Sequence, residues 1–416
     1  MFPSARTVAS SPSDPSWRHA RRRLATGILT AAAAAALAGC AGVQPAATAT
    51  PSQQAASDTA TRVAVAYDGG VLVLDGASLE PVGDAALDGF LRVNGAGDTA
   101  GHVFVTADDG FHVLDTGLES GEVSFTGEVF DAVTPGHVTP HAGRTALFDD
   151  GTGTVRVFDT DAIGSGELPA FDTIESPAAH HGVAIELSDG TTLSTIGTAE
   201  SRSGVRHLAA DGSELARNEE CPGVHGEGAV KDEVVVFGCE NGMLVFDDGA
   251  FTKLDAPDEF GRTGNAYVTD SSAIAVGDYK SDPDQEGYLL SALTLVDTAA
   301  PSLSVVELPA GVEYTWRGVG RDAHGGIVVL SADGSLVVLD EAGAVQDSWP
   351  VIEAWESPEE WQQPHPGLRV VGDLAYVTEP ASRSIHAVDL HTGEVVASAT
   401  LDVVPGEFVV VGPPAS

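Results

Sequence analysis

The chain has 416 residues with 61 acidic against 20 basic side chains, a formal charge of −41, and 48 Gly with 23 Pro among 43% apolar content. A surface this acidic repels nucleic acid and anionic lipid and attracts cations, and the abundance of turn residues speaks against a helical protein. The length alone would suit two or three domains, but an internal repeat argues for one closed β domain.

The first forty residues form a unit of their own. Arg18, Arg21, Arg22 and Arg23 make a positive region, Leu24 to Leu37 an apolar run, and LAGC ending at Cys40 has the form of a bacterial lipobox. The expectation is a lipoprotein signal peptide over residues 1–39, with Cys40 lipidated and anchoring the chain at the outer face of the cell membrane. The apolar run is shorter than the ~20 residues that a membrane span needs. Residues 41–61, rich in Ala, Thr, Ser, Gln and Pro, read as a flexible tether. Removing residues 1–39 takes away five Arg and Asp14, leaving 60 acidic against 15 basic side chains, so the cation-attracting character deepens.

From residue 62 to 416 one phrase recurs. It is plainest at Val329 to Val345, VLSADGSLVVLDEAGAV: a β-branched strand, a turn for which Asp333-Gly334 offers positive-φ positions, and a returning strand. Copies begin at Ala66, Thr106, Phe148, Phe237, Leu293 and Glu379, with a looser one, GVRHLAADGSELA, from Gly204. Their landmark residues Asp75, Asp115, Asp159, Asp211, Asp247, Asp297, Asp340 and Asp389 lie roughly 35 to 55 residues apart, the period of a propeller blade rather than of a helical solenoid. The predicted fold is therefore an all-β propeller of four-stranded blades. The first hairpin has no preceding strand and PGEFVVVG at the C-terminus has no blade, so pairing the two closes the ring. Eight blades are counted, or seven if the loose copy over residues 190–217 merges with a neighbour.

Each phrase supplies two middle strands, so an innermost, channel-lining strand precedes it. Counting back about eight residues from the turns near Asp98, Arg144, Asp189, Asp232, Asp270, Asp322 and Asp373, and from Gly412, gives where each channel strand starts. The positions are Phe90, a site beside His137, His181, a site beside His225, Arg262, Tyr314, His365 and Pro405. Starts of channel strands converge on one face, so imidazoles from three adjacent blades can meet one metal ion. The segments are PGHVTPHAGRT (His137, His141), AAHHGVAIE (His180, His181) and CPGVHGEGA (His225, Glu227). The expected core ligands are His137, His181 and His225, with His180, His141 or Glu227 supplying a fourth position or orienting an imidazole. A lone His at such a place is more often structural; three adjacent blades tip the balance to metal. Imidazole with one carboxylate suits Zn2+ better than Ca2+ or Mg2+, and copper is the competitor. His102, His112, His207, His324, His386 and His391 read as surface or packing residues.

Cys221 and Cys239, the pair left after Cys40, favour a disulfide in an exported protein; zinc ligation is the alternative, without CxxC spacing to support it. GDYKSDPDQEGY, residues 277–288, reads as a solvated loop because the EF-hand pattern is missing. AWESPEEWQQPHPG, residues 354–367, reads either as a docking or lid segment or as a long loop packed by its tryptophans.

These motifs carry a resemblance. PGHVTPHAGRTALFDDGTG, HHGVAIELSDGT, ECPGVHGE, VVVFGCENG, GDYKSDPD, AWESPEEWQQP and IHAVDLHTGEVVASATL are similar to the AztD family of exported zinc metallochaperones, over most of the chain from Thr61 onward. The resemblance implies a β-propeller that binds zinc outside the cytoplasmic membrane and passes it to the zinc solute-binding protein of an ABC importer. The family also carries a His-rich loop soon after the second hairpin; here the matching stretch, Gly117 to Gly136, has no His. A monomer that is not an enzyme is the expectation. The alternatives are a metal-dependent propeller hydrolase or lyase with Glu227 as general base, which lacks a GxSxG or paired-carboxylate signature, and a metal-free protein-binding scaffold.

Overall fold

The computed structural model describes residues 60–412. The signal-peptide and lipidation readings, Cys40 included, and all but the last two residues of the tether lie outside the described residues.

Eight sheets, each built on a four-stranded antiparallel meander, follow one another along the chain, the fifth also taking Gly261–Arg262 in parallel beside Asn241–Asp247, so the ring has eight blades and not seven. Among the described residues the helical content is limited to three short 3-10 turns, Thr160–Ala162, Lys231–Glu233 and Trp316–Gly318. The second blade shows the pattern: channel strand Arg92–Gly95, middle strands His102–Ala107 and Gly110–Thr116, rim strand Val123–Asp131. Middle strands are covered on both faces by neighbouring blades, which is why HVFVTA is buried throughout. Rim strands meet solvent, which is why PVGDAA is mostly exposed.

The core lies between blades. Phe104, Phe111 and Phe130 of the second blade pack against Val138, Leu147 and Phe158 of the third, and Phe130 stacks on Phe158 at 4.7 Å between ring centroids. Such aromatic pairs add about 0.5–1.5 kcal/mol beyond their area burial. Closure follows the expected route: Phe408–Val411 is the channel strand of the first blade, with Val65 opposite Phe408 and Arg62 opposite Val411. Phe408 also joins Tyr376 and Ile385 of the eighth blade in one cluster, so the last strand closes the edge of the first blade while its side chain packs on the eighth.

The landmark acids have a local cause. Each stands at or near the end of a third strand, and most turn a side-chain oxygen back to following N–H groups: Asp75 accepts from Ala77 and Ser78, Asp211 from Ser213, Asp340 from Ala342 and Ala344, Asp389 from His391 and Thr392. Such Asx turns are why Asp recurs there. Asp211 falls in register with the rest, so the loose copy is a full blade, Ala184–Glu186 through Glu214–Asn218.

Three sequence details are corrected. In the hairpin at Asp333-Gly334 only Gly334 adopts a positive φ, of 88°, and the connection runs over residues 331–334. Arg262 and Tyr314 do not start channel strands; these are Ala266–Tyr267 and Val319–Arg321. Arg262 and Tyr314 instead bridge to Lys280 and Leu290, and Tyr314 is fully buried with its hydroxyl donating to Ala292 O.

Candidate metal centre

In a four-stranded meander, the turns after the second and fourth strands share one face of the ring, and those after the first and third share the other. His137 lies near the start of the third blade's channel strand, Pro135–His141; His181 lies in the connection leading into Ala184–Glu186; His225 opens His225–Ala229. All three are therefore on one face, and their ligand atoms lie within 4.8 Å of one another. The ring centroids stand 5.1 Å apart in every pairing.

Two bulges and two glycines aim these rings. The register slips between Pro135 and Val138, and again between His225 and Glu227. Gly226 between the latter pair has φ 64°, and an added Cβ would stand 2.6 Å from Asn265 Cα and Gly264 O. At Gly136 a Cβ would stand 2.2 Å from Asp150 Oδ1.

Each ring is also held from behind. His181 Nδ1 meets Asp150 Oδ2 at 2.5 Å, and His225 Nδ1 meets the carbonyl of Gly264. A carbonyl accepts only, so Nδ1 of His225 carries the proton and Nε2 keeps its lone pair. Asp150 favours the same tautomer at His181. The Nε2 atoms then face each other at 3.1 Å, close to the ~3.3 Å between two nitrogens on a tetrahedral zinc with 2.0–2.1 Å bonds. Two lone pairs this near repel unless a cation lies between them, so this donor set fits a metal ion.

His137 completes the triad, with Glu227 Oε2 at 3.7 Å from its Nδ1 and Glu227 Oε1 accepting from Thr139 Oγ1 at 3.1 Å. Burial pushes the Glu227 carboxyl up, but contact with His137 and the Thr139 hydrogen bond outweigh it and hold it below its ordinary value. Burial, with the neighbouring His137, pushes His225 well below the usual imidazole range, so this ring stays neutral and able to bind metal. His181 is the open side, with 41% of its side chain exposed.

The remaining candidates stand elsewhere. His180 is turned into the core, 2% exposed, with Nδ1 meeting Ala178 O and Nε2 meeting Thr195 Oγ1. Both nitrogens are spent, so it offers no fourth ligand. His141 ends its strand about 13 Å from His137 along the chain, on the other face, where Nε2 meets Glu233 Oε1 at 2.7 Å. Glu227 stands behind His137 as an orienting group. Cys221 and Cys239 are joined as a disulfide, so neither thiolate is free for zinc.

Asp150 was missed by the sequence reading, and its signal was the doubled acid of FDDG. Asp149 accepts from Val133, Thr134 and Gly151 and so satisfies the turn, which leaves its neighbour free for His181. The Gly264 carbonyl has no sequence signal; it is fixed by buried Asp278, which accepts from the N–H groups of Gly264 and Asn265.

The other two segments are settled by packing. Residues 281–287 are exposed, as a solvated loop. In the 354–367 segment Trp355 Nε1 donates to Ser331 O at 3.1 Å and Trp361 packs edge-on against Phe90 at 5.6 Å, so the loop is packed by its tryptophans.

Fold and site together define an eight-bladed propeller that presents a three-histidine centre on one face. No family model matches the chain. The zinc chaperone AztD of Citrobacter koseri is 23% identical over 285 residues, which span 67% of this chain and 66% of that protein, just under two thirds of the relative's length. The solved structure of apo AztD from Citrobacter koseri superposes with a TM-score of 0.72 at 20% identity, covering 85% of this chain and 98% of that one. A second Citrobacter koseri AztD structure gives 0.70 at 19% identity, covering 86% and 99%. The chain is thus similar to AztD in sequence and shares its fold, which bears out the resemblance read from its motifs.

Proposed function

We propose that this protein is a zinc chaperone working outside the cytoplasmic membrane. The observation that carries the reading is the set of three converging imidazoles, two of them with Nε2 lone pairs facing each other at 3.1 Å. Sequence similarity to a protein named as a zinc chaperone supports it. His181, the most open of the three, is where an incoming ligand of a recipient reaches the metal, so that one protein–metal bond forms before another breaks. The recipient proposed is the zinc solute-binding protein of an ABC importer, met by a monomer tethered through lipidated Cys40 at the outer face of the membrane.

The non-enzymatic reading is favoured by a specific contact. Glu227, the candidate general base, is engaged by Thr139 and His137, and the sequence relative bears the name of a zinc chaperone.

The test is zinc binding by the parent protein beside H137A/H181A/H225A, followed by transfer. The triple variant is expected to lose one tightly held zinc while keeping its β-sheet circular dichroism. Metal is expected to pass from the loaded parent to a zinc-specific solute-binding protein at a rate that a competing chelator in solution does not reduce. Equal binding by both proteins overturns the metal site, and transfer that occurs only through free zinc overturns the chaperone role.

A further inference from the structure

The opposite face of the ring carries a second gathering of ligand atoms. His324 lies in the turn after the seventh blade's channel strand, Asp373 in the equivalent turn of the eighth blade, and His391 in the turn after that blade's third strand. All are turns after first or third strands, and so lie away from the three-histidine face. One atom from each lies within 4.8 Å of the other two. His324 Nε2 is 3.6 Å from Asp373 Oδ1, and His391 Nε2 is 3.4 Å from Asp373 Oδ2.

We propose that His324, Asp373 and His391 form a second binding site for Zn2+ or a similar divalent transition metal, open to solvent on the face opposite the three-histidine centre. The inference stands apart from the proposed function, because it uses none of the same residues.

Three observations carry it. First, the two histidine–carboxylate separations are near those about a shared cation: ligand atoms at 2.0–2.2 Å from a tetrahedral zinc lie about 3.3 Å apart. Second, packing does not explain the histidines. Their side chains are 72% and 63% exposed, yet the rings lie nearly parallel, 23° apart with centroids at 6.2 Å, on either side of one carboxylate. Third, the three turns are tied together by backbone, so the donors are assembled in advance. Ala323 N donates to Gly372 O at 3.3 Å and Leu390 N to Asp373 O at 2.9 Å. Asx turns hold both histidine backbones, with His324 N donating to Asp322 and His391 N to Asp389.

Two imidazoles and one carboxylate suit zinc, with copper(II) the stronger competitor by affinity order, and they disfavour Ca2+ and Mg2+. The fourth position faces solvent, so the metal there exchanges readily.

The experiment counts zinc bound at equilibrium by the full-length parent, H137A/H181A/H225A, H324A/H391A and the variant combining all five changes. A Co2+ titration of the visible absorption bands gives a second readout. The expected result is that H324A/H391A loses one metal equivalent relative to the parent, and that the combined variant loses one relative to the triple variant. Because His324 and His391 are exposed, their replacement leaves the fold intact, and comparison with the parent suffices even if the triple variant misfolds. Should H324A/H391A bind as much zinc and Co2+ as the parent, the cluster is an ion-pair group only and the inference is overturned. Failure of the three-histidine centre would read differently, as a triple variant equal to the parent.

Discussion

His181 and His225 are 44 residues apart in the chain, yet their Nε2 atoms stand 3.1 Å from each other. Neither ring reaches this position by itself: Asp150 holds one from a hairpin of the preceding blade and the Gly264 carbonyl holds the other. At the proposed metal centre, affinity is therefore expected to depend on residues that do not themselves bind the metal.

Asp150→Ala is the direct check. Releasing His181 from its carboxylate is expected to weaken zinc binding about 10- to 100-fold, the range seen when groups behind metal ligands are removed. A titration in a metal-ion buffer measures it, and unchanged affinity would show that Asp150 orients nothing.

Gly226→Ala is expected to cost stability and affinity together. A left-handed φ alone costs an L residue about 1–2 kcal/mol, and the new Cβ also meets the Gly264–Asn265 backbone that positions His225. Urea unfolding and zinc titration of the same preparation should both shift; a stable variant with full affinity would refute the account of the bulge.

The disulfide fixes the segment leading to His225 onto the end of the strand Val235–Cys239. Replacing Cys221 and Cys239 by Ser opens a loop spanning 18 residues. In the loop-entropy picture this is worth about 3 kcal/mol. The urea midpoint of C221S/C239S should fall accordingly, and a reducing agent should lower the parent's midpoint but not the variant's.

Stability should also fall in mild acid because of His365. This ring is 3% exposed, and burial, reinforced by Arg317, pushes it down to about 4. Between its unfolded value near 6.5 and that folded value, the unfolded chain binds the proton and the folded chain does not. Stability is therefore complete above pH 6.5 and drains away as pH falls towards 4, by about 2 kcal/mol at pH 5 from this group. Comparing urea midpoints at pH 7 and pH 5 for the parent and for His365→Phe should show a smaller drop in the variant; equal drops would exclude His365 as a source.

How much could be read in the chain depended on whether a residue's role was local. The landmark acids repeat because an Asx turn is completed within four residues, so the blade period and ring closure followed from spacing, while the choice of eight blades over seven did not. Counting places the histidines near channel-strand starts and singles out His181 as a core ligand, but it leaves its neighbour His180 open as a fourth. Adjacent side chains of an extended segment point opposite ways, and here one is buried while the other is exposed. The second cluster went unread because His324, Asp373 and His391 belong to three turns of two blades, each unremarkable alone.

The sequence by itself determined the propeller, its repeat, the closing strand and the three segments that bring histidine to one face, because turn chemistry and strand period are local properties; that the blades number eight and not seven came from the sheets themselves. Only the tertiary structure decided which imidazoles share a site, which groups hold them, and that a second set of ligand atoms meets on the far face. Those are distances between blades, and they are set by how sheets pack around the ring.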